Sequence, residues 1–441
     1  MKVAILAAGA GGMYCGSCMH DNRLAATLIA QGREVVLHPL YTPLRTDEPD
    51  VSERRVFYGG LNAYLERISG LFRYTPRFVD RLLDARVMLR LIGRFVSSTR
   101  PESLGPLTLS VMSAEHGAQR KELEKLMVGL RAFGPDLVQL PNLMFIGAAR
   151  RLREALGVKV VCELTGEDVF LDCLPEPFRS QAFELIRRQA TDIDAFVALT
   201  DYYAKHATGY FGLPAERVHR ISMGIRTAEF AAATPPVEPF TLGYLARICP
   251  EKGLAELCAA FVRLRRDGRA CRLRIAGYLG RGHRAYHEQA MELVRRAGLS
   301  SDVEHVGELS WQGKQEFLRS LHVLTVPAIR PEAKGLYALE AIAAGVPAAL
   351  PDHGAFPEIV ERTGGGLLHA PKDTDALARA LTRLMDEPAF RRELAERGRA
   401  AVHASFTAER MAAEAWQLYE RAVSPDTMPG GNVKGEDHAA S

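Results

Sequence analysis

The chain lacks three features that would each decide its class. It has no charge excess: 56 Lys and Arg stand against 53 Asp and Glu, a formal net charge of +3. A dedicated nucleic-acid binder is strongly basic over a whole domain, so nucleic acid is not expected as a partner. No stretch approaches the roughly 18 apolar residues of a membrane span. The cysteines (Cys15, Cys18, Cys162, Cys173, Cys249, Cys258 and Cys271) are odd in number and scattered, which is no disulfide framework. The apolar run Val3–Ala8 after Met1-Lys2 is too short for a secretory core and reads as a first β-strand, so a cytoplasmic protein is expected. What is present is ordinary: 47% hydrophobic and 25% charged residues exclude a mainly disordered or collagen-like chain. At about 150 residues per domain, the length implies two or three domains.

The order of patterns supplies the architecture. Lys2–Ala7 reads as a strand, Gly9-Ala-Gly-Gly12 as a glycine loop, Asp21–Gln31 as a helix closed by Gly32, and Glu34–Pro39 as a second strand. This βαβ unit points to a parallel sheet with crossover helices. Alternation resumes at Leu137–Leu140 and closes at Arg217–Ser222, completing a first doubly wound domain. Between them, residues 54–133 carry helical patterns without a clear strand, and Arg54–Arg100 holds ten arginines against Glu66, Asp80 and Asp84. That segment reads either as a solvated helical insertion or as a surface for anionic lipid or a polyanionic acceptor. Thr234–Pro239 is a proline-rich break and the expected linker. A second alternating series runs from Leu242–Ala246 to Gly366–His369, followed by helices at Ala389–Ala404 and Ala408–Val423. The expected division is 1–226 plus 406–423 for the N-terminal Rossmann-like domain, 240–405 for the C-terminal one, and 424–441 for a disordered tail. Two open α/β sheets in series place a ligand between their facing carboxyl ends.

Four motifs carry chemistry. Glu332 sits in a loop and Gly335-Leu336 opens a helix, where free backbone N–H groups attract phosphate. Glu340 lies in an apolar run and needs a partner, either a ribose diol or an arginine of the first domain. Arg247 and Lys252 follow a strand and precede a helix, as a diphosphate site requires, or else are two surface cations. Gly277 ends Ile275-Ala-Gly277 and lets a ligand approach the backbone. Cys15-Gly-Ser-Cys18, with His20 and Asp21 beside it, fits three roles: loop shaping, a redox pair at a helix N-terminus, or half a zinc site.

The series Ala-Arg247-x-x-Pro-Glu-Lys252-Gly, Ile-Ala-Gly277, Val303-x-x-x-Gly307 and Glu332-x(7)-Glu340-Ala resembles the retaining glycosyltransferases of family 4, with the GT-B fold. The resemblance extends to Val197-Ala-Leu-Thr200, Ile221-Ser-Met-Gly-Ile225 and Phe406–Tyr419, the last being similar to a final helix that crosses back onto the first domain. It implies an α/β architecture of two doubly wound Rossmann-like domains facing across a cleft. It also implies that Arg247 and Lys252 bind the donor diphosphate and stabilise the leaving group, that Glu340 holds the ribose, and that Glu332 meets the transferred sugar. Gly335 and Leu336 would offer amides to phosphate. Gly11 and Gly12 would face donor and acceptor, and Asp168 would complete the catalytic set. No metal is implied, because fixed cations do that work, and no cofactor beyond the nucleotide-sugar co-substrate. Thr165 and Gln139 stand where many members carry His, Lys334 where an aromatic or small residue is common, and Arg226 where Asp often follows Gly-Ile. The expected function is transfer from a nucleotide-sugar, a UDP-sugar above others, to a glycan or lipid-linked acceptor, with peripheral membrane contact through 54–100. Two alternatives stand beside it: a nucleotide-binding module without transfer, which Thr165 keeps open, and an epimerase or phosphorylase on the same fold. The set Arg247, Lys252, Glu332 and Glu340 argues against both.

Overall fold

Short, unbroken apolar runs such as Val3–Ala7 do not alternate, and a strand of that kind must be covered on both faces. The computed structural model describes residues 1–9, 14–54, 56, 104–114, 120–231 and 238–424. Within them, β1 (Lys2–Ala7), β2 (Glu34–Pro39), β3 (Leu137–Leu140), β4 (Lys159–Leu164), β5 (Ala195–Ala198) and β6 (Val218–Arg220) form one parallel sheet, in the order β2-β1-β3-β4-β5-β6. The strands β7 (Phe240–Leu245), β8 (Cys271–Ala276), β9 (Val303–Gly307), β10 (Val323–Thr325), β11 (Ala348–Pro351) and β12 (Gly366–His369) form a second, in the order β12-β11-β10-β7-β8-β9. Every pairing is parallel. The strand order reverses between β1 and β3 and again between β7 and β10. Such switch points open crevices at the carboxyl ends of strands.

The helices cover both sheets, and two depart from the sequence expectation. The first starts at Gly16, not Asp21, and runs Gly16–Ala30 straight through the Cys-x-x-Cys. Its buried face carries Cys18, His20, Asp21, Asn22 and Arg23, so polarity disguised a core-facing turn. The helix Phe356–Thr363 was not foreseen at all. Of the region 54–133, the helices Gly105–Met112 and Arg120–Phe133 are described. Nearly all of the arginine-rich segment, most of the proline-rich break, Gly11 and Gly12, and the tail from 425 lie outside the described residues. The final helix, Ala408–Val423, packs on the first and on β3: Arg33, just past the first helix, stacks over Trp416, with 4.5 Å from guanidinium to ring centroid, and the Tyr419 hydroxyl donates to Gln139 of β3. No described helix is long and apolar enough to cross a membrane.

Two glycines fix the loops above β7 and β8. Gly253 has φ 70°, and a Cβ there would lie 1.9 Å from the Pro327 carbonyl oxygen. Gly277 has φ 138°, and its Cβ would lie 1.9 Å from the Ala246 carbonyl oxygen. Its glycine is thus demanded by a neighbouring loop as well as by any ligand. Gly277→Ala is expected to lower stability by about 2 kcal/mol or more, through strain and displacement. Gly209, with nothing within 4 Å of its Cβ position, should instead gain up to about 1 kcal/mol on change to Ala in its helix. Paired thermal melts check the contrast, and equal melting temperatures for the two variants would defeat it.

Candidate active site

A cavity of about 400 Å³ opens where the two sets of strand ends meet. Leu245, Ala246 and Arg247 reach it from β7, Gly277 from β8, and the segment Glu332–Tyr337 from the loop after β10. Tyr14, Cys15, Ser17, Asp47 and Thr165 line it from the first domain. Both topological switch points therefore feed one cleft.

The Arg247 loop is pinned from below, since the Tyr244 hydroxyl donates to the Arg247 carbonyl at 3.2 Å. The guanidinium is exposed and is in no ion pair among the described residues. Lys252 points to the same side and forms an ion pair with Glu332, which also accepts from the Tyr337 hydroxyl at 3.0 Å. Burial pushes the Glu332 carboxyl up, but Lys252 and Tyr337 more than offset this and hold it below the usual carboxylate range. The helix Leu336–Ala343 begins with Gly335 at φ 76°, without a side-chain cap and without an acidic residue in its first turn. Its leading amides therefore remain available at the cavity wall.

Glu340 has protein partners from both domains. Its Oε1 lies 2.6 Å from Lys314 Nζ and 3.8 Å from Arg23 Nη2. Lys314 also reaches Asp47 at 2.5 Å. The expected arginine of the first domain is thus present, yet Lys314 is the nearer cation, and Glu340 still borders the cavity. Burial holds the Glu340 carboxyl above its ordinary range despite Lys314. Lys314, buried as well, is raised by Glu340 and Asp47, which outweigh the cost of desolvation.

Other ties close the cleft. Arg45 meets Glu308 at 2.7 Å, the Thr200 hydroxyl donates to the Ala333 carbonyl at 2.9 Å, and Lys334 Nζ reaches Ser17 Oγ at 2.9 Å and Glu163 at 3.4 Å. Lys334, which replaces a common aromatic, is therefore a bridge between domains. Gln139, which replaces a common His, accepts from Tyr419 and donates to Glu163 at 3.3 Å. Arg226 forms a local ion pair with Glu229.

Asp168 is not among the residues lining the cavity. It accepts from the Tyr203 hydroxyl at 2.8 Å, and His206 lies 3.4 Å away. The neighbouring Glu167, which the sequence did not single out, organises the turn. It accepts from the amides of Thr165 (2.9 Å), Gly166 (3.0 Å) and Leu143 (3.2 Å). Burial raises its carboxyl, and those amides pull back against the rise. The turn presents Thr165 to the cavity.

His20, Asp21 and Glu163 bring one ligand atom each within 4.8 Å of one another, the one such group found among the described residues. The Lys334 ammonium beside Glu163 already supplies positive charge there.

Two six-stranded parallel sheets, wrapped in helices and sharing one cleft, define a GT-B architecture. Residues 20–224 match the Glycosyl transferase 4-like domain and residues 225–401 match Glycosyl transferases group 1. The chain belongs to the group 1 glycosyltransferases. It is 28% identical over 242 residues to the MMP alpha-(1->4)-mannosyltransferase of Mycolicibacterium hassiacum, a match covering 55% of this chain and 57% of that protein. Its fold is similar to that of sucrose-phosphate synthase from Thermosynechococcus elongatus, with TM-score 0.71 and 18% identity over 95% of this chain and 98% of the other. Anabaena HepE in complex with UDP is a further likeness, with TM-score 0.65 and 16% identity over 95% of this chain and all of the other.

Proposed function

We propose that the protein is a retaining glycosyltransferase that moves a sugar from a nucleotide-sugar to a glycan or lipid-linked acceptor. The observation that carries this reading is the cationic corner of the cleft: exposed Arg247, half-buried Lys252 and the uncapped helix start at Gly335-Leu336. A diphosphate seated there meets two cations and free amides, all on rigid elements. As the glycosidic bond breaks, charge grows on the leaving diphosphate, and fixed donors stabilise it without reorganising. This is also why we infer that no divalent ion is needed. Lys252 shares its charge with Glu332, so the same pair orients the carboxylate toward the transferred sugar. Glu340 takes the ribose with the carboxylate edge that Lys314 leaves open. Asp168 acts indirectly, by holding Tyr203 behind the Thr165 turn. Uracil is the favoured base, since the HepE likeness was solved with UDP.

The test is incubation with a panel of UDP-, GDP- and ADP-sugars, following nucleotide release with and without chelator and reading the product anomer by NMR. Turnover of one donor, insensitive to chelator and with the anomeric configuration kept, is expected. Tight nucleotide binding with no turnover on any acceptor would instead favour a binding module.

Membrane contact through 54–100 is read separately. With ten arginines against three acids in Arg54–Arg100, each basic residue near an anionic surface contributes about 1 kcal/mol. Flotation with vesicles containing anionic lipid should exceed that with neutral vesicles at low salt. Equal flotation would return the segment to a solvated surface.

A further inference from the structure

The Cys-x-x-Cys found in the sequence is unused by the sugar chemistry, and its surroundings are unusual. Cys15 occupies the cap position before helix Gly16–Ala30 and lines the donor cavity. It is half-buried, whereas Cys18, one turn further on, is only 2% exposed. Cys15 at the cap and Cys18 in the first turn stand three positions apart, which brings their side chains to the same end of the helix. Behind them stands Asp21, 1% exposed, beside the Glu163 carboxyl and with neither carboxylate oxygen accepting a hydrogen bond from a described residue. A buried carboxylate without donors is costly to keep charged, and burial together with Glu163 raises its pKa well above the ordinary value. An accessible sulfur at a helix N-terminus, a buried second sulfur three positions on and a proton-accepting carboxyl behind the second make up the parts of a dithiol exchanger.

We propose that Cys15 and Cys18 form a reversible thiol–disulfide exchange site in the wall of the cleft, taking low-molecular-weight disulfides as substrate, with Cys15 attacking and Cys18 resolving. Cys15 thiolate attacks one sulfur of R–S–S–R; the S–S bond breaks, and RS⁻ leaves and takes a proton from water. Asp21, once its own proton has passed to solvent, takes the proton of Cys18, which attacks the Cys15 sulfur of the mixed disulfide. The second RS⁻ leaves and carries away the proton held by Asp21. The protein dithiol is oxidised by two electrons to the Cys15–Cys18 disulfide, and R–S–S–R is reduced to two thiols.

Of the groups facing Cys15, Cys18 and the cations support the thiolate, whereas a charged Asp21 opposes it. Cys18 and Asp21 lie on its own helix, Lys334 reaches over from the loop before Leu336–Ala343, and Arg247 reaches over from the end of β7. His20 and Glu163 sit further back, around Asp21. The nearness of Cys18 outweighs burial, Lys334 adds to it, and together they bring the Cys15 thiol down to about 5.

The full chain, equilibrated in glutathione buffers from reduced to oxidised and mapped by mass spectrometry, tests this. The peptide holding residues 15 and 18 should lose two hydrogens and regain them with dithiothreitol. Cys18→Ser should stop at one glutathionyl group on Cys15, and Cys15→Ser should take none at Cys18. Asp21→Asn should accumulate the mixed disulfide, which a merely structural role for Asp21 would not produce. Alkylation of Cys15 by iodoacetamide should keep its rate from pH 8 to pH 6, where an ordinary thiol slows by about tenfold per pH unit. Failure of the wild-type chain to form this disulfide at any glutathione ratio overturns the proposal. So does a tightly bound zinc, one per chain, that shields both thiols until it is chelated. No sugar substrate enters the experiment, so failure of the transferase reading leaves its outcome untouched.

Discussion

The Arg247→Ala, Lys252→Ala double variant is expected to lose the stabilisation that a nucleoside diphosphate gives the wild-type protein. At a hundredfold excess over Kd, a ligand bound only by the folded state contributes about 2.7 kcal/mol. Each charge-assisted contact removed costs about 1.5–3 kcal/mol, so either single variant should bind on the order of tenfold more weakly. Under the transferase reading the rate should fall further than binding, because the same cations face charge that grows only as the bond breaks. The two singles should also differ in kind. Arg247 is in no ion pair among the described residues, so its removal leaves no buried partner behind. Removing Lys252 strands Glu332, whose carboxyl then rises under burial, opposed only by Tyr337 and the more distant Lys334. Calorimetric titration and melting curves read both effects. Unchanged diphosphate affinity in the double variant would refute the assignment of the site.

Lys314→Met should produce the largest loss of stability. The lysine joins Asp47 of the first domain to Glu340 of the second, and all three side chains are at most 6% exposed. Removing one member of a buried ionic group leaves the others uncompensated, which costs about 3–5 kcal/mol, on the order of 10 °C in melting temperature. The pH dependence has a definite sign. Burial already raises the Glu340 carboxyl, and loss of Lys314 raises it further. A folded-state pKa above the unfolded value favours the folded state at low pH and loses that advantage as pH rises. The gap between variant and wild type should therefore narrow as pH falls toward the ordinary carboxylate range near about 4. Adding Asp47→Asn and Glu340→Gln should recover much of the loss. A variant melting within a degree or so of wild type at neutral pH would show that the three groups are not electrostatically coupled.

What the sequence carried was local. Four strands (Lys2–Ala7, Glu34–Pro39, Leu137–Leu140 and Gly366–His369) fall where the sequence places them; Lys2–Ala7 and Leu137–Leu140, buried in the sheet, leave nearly unbroken apolar marks, and the edge strands Glu34–Pro39 and Gly366–His369 leave shorter ones. The helix start at Gly335 was legible for a similar reason, since a glycine in the left-handed region ends one element and opens the next. What was not legible depended on distance in the chain. Lys314 and Asp47 are 267 positions apart and look like two surface charges until the domains meet. Glu167 spends its carboxylate on backbone amides, a use that no side-chain pattern records. The Gly16 helix start was hidden because Cys15 offers no capping oxygen and the buried turn is polar.

The two places where the chain passes between domains lie side by side. Ile225 donates to the Phe406 carbonyl at 2.9 Å, and Ala408 donates back to the Ile225 carbonyl at 2.9 Å. A Cβ on Gly224 would come within 2.5 Å of the Thr407 carbonyl oxygen, so the strands cannot be spread by a side chain. The far rim of the cleft is held instead by ion pairs and side-chain hydrogen bonds such as Arg45–Glu308 and Lys334–Ser17, which water can replace one at a time. The cleft side is fastened as well by the buried Lys314, Asp47 and Glu340, so the backbone seam and the buried charges together set how the two sheets face each other.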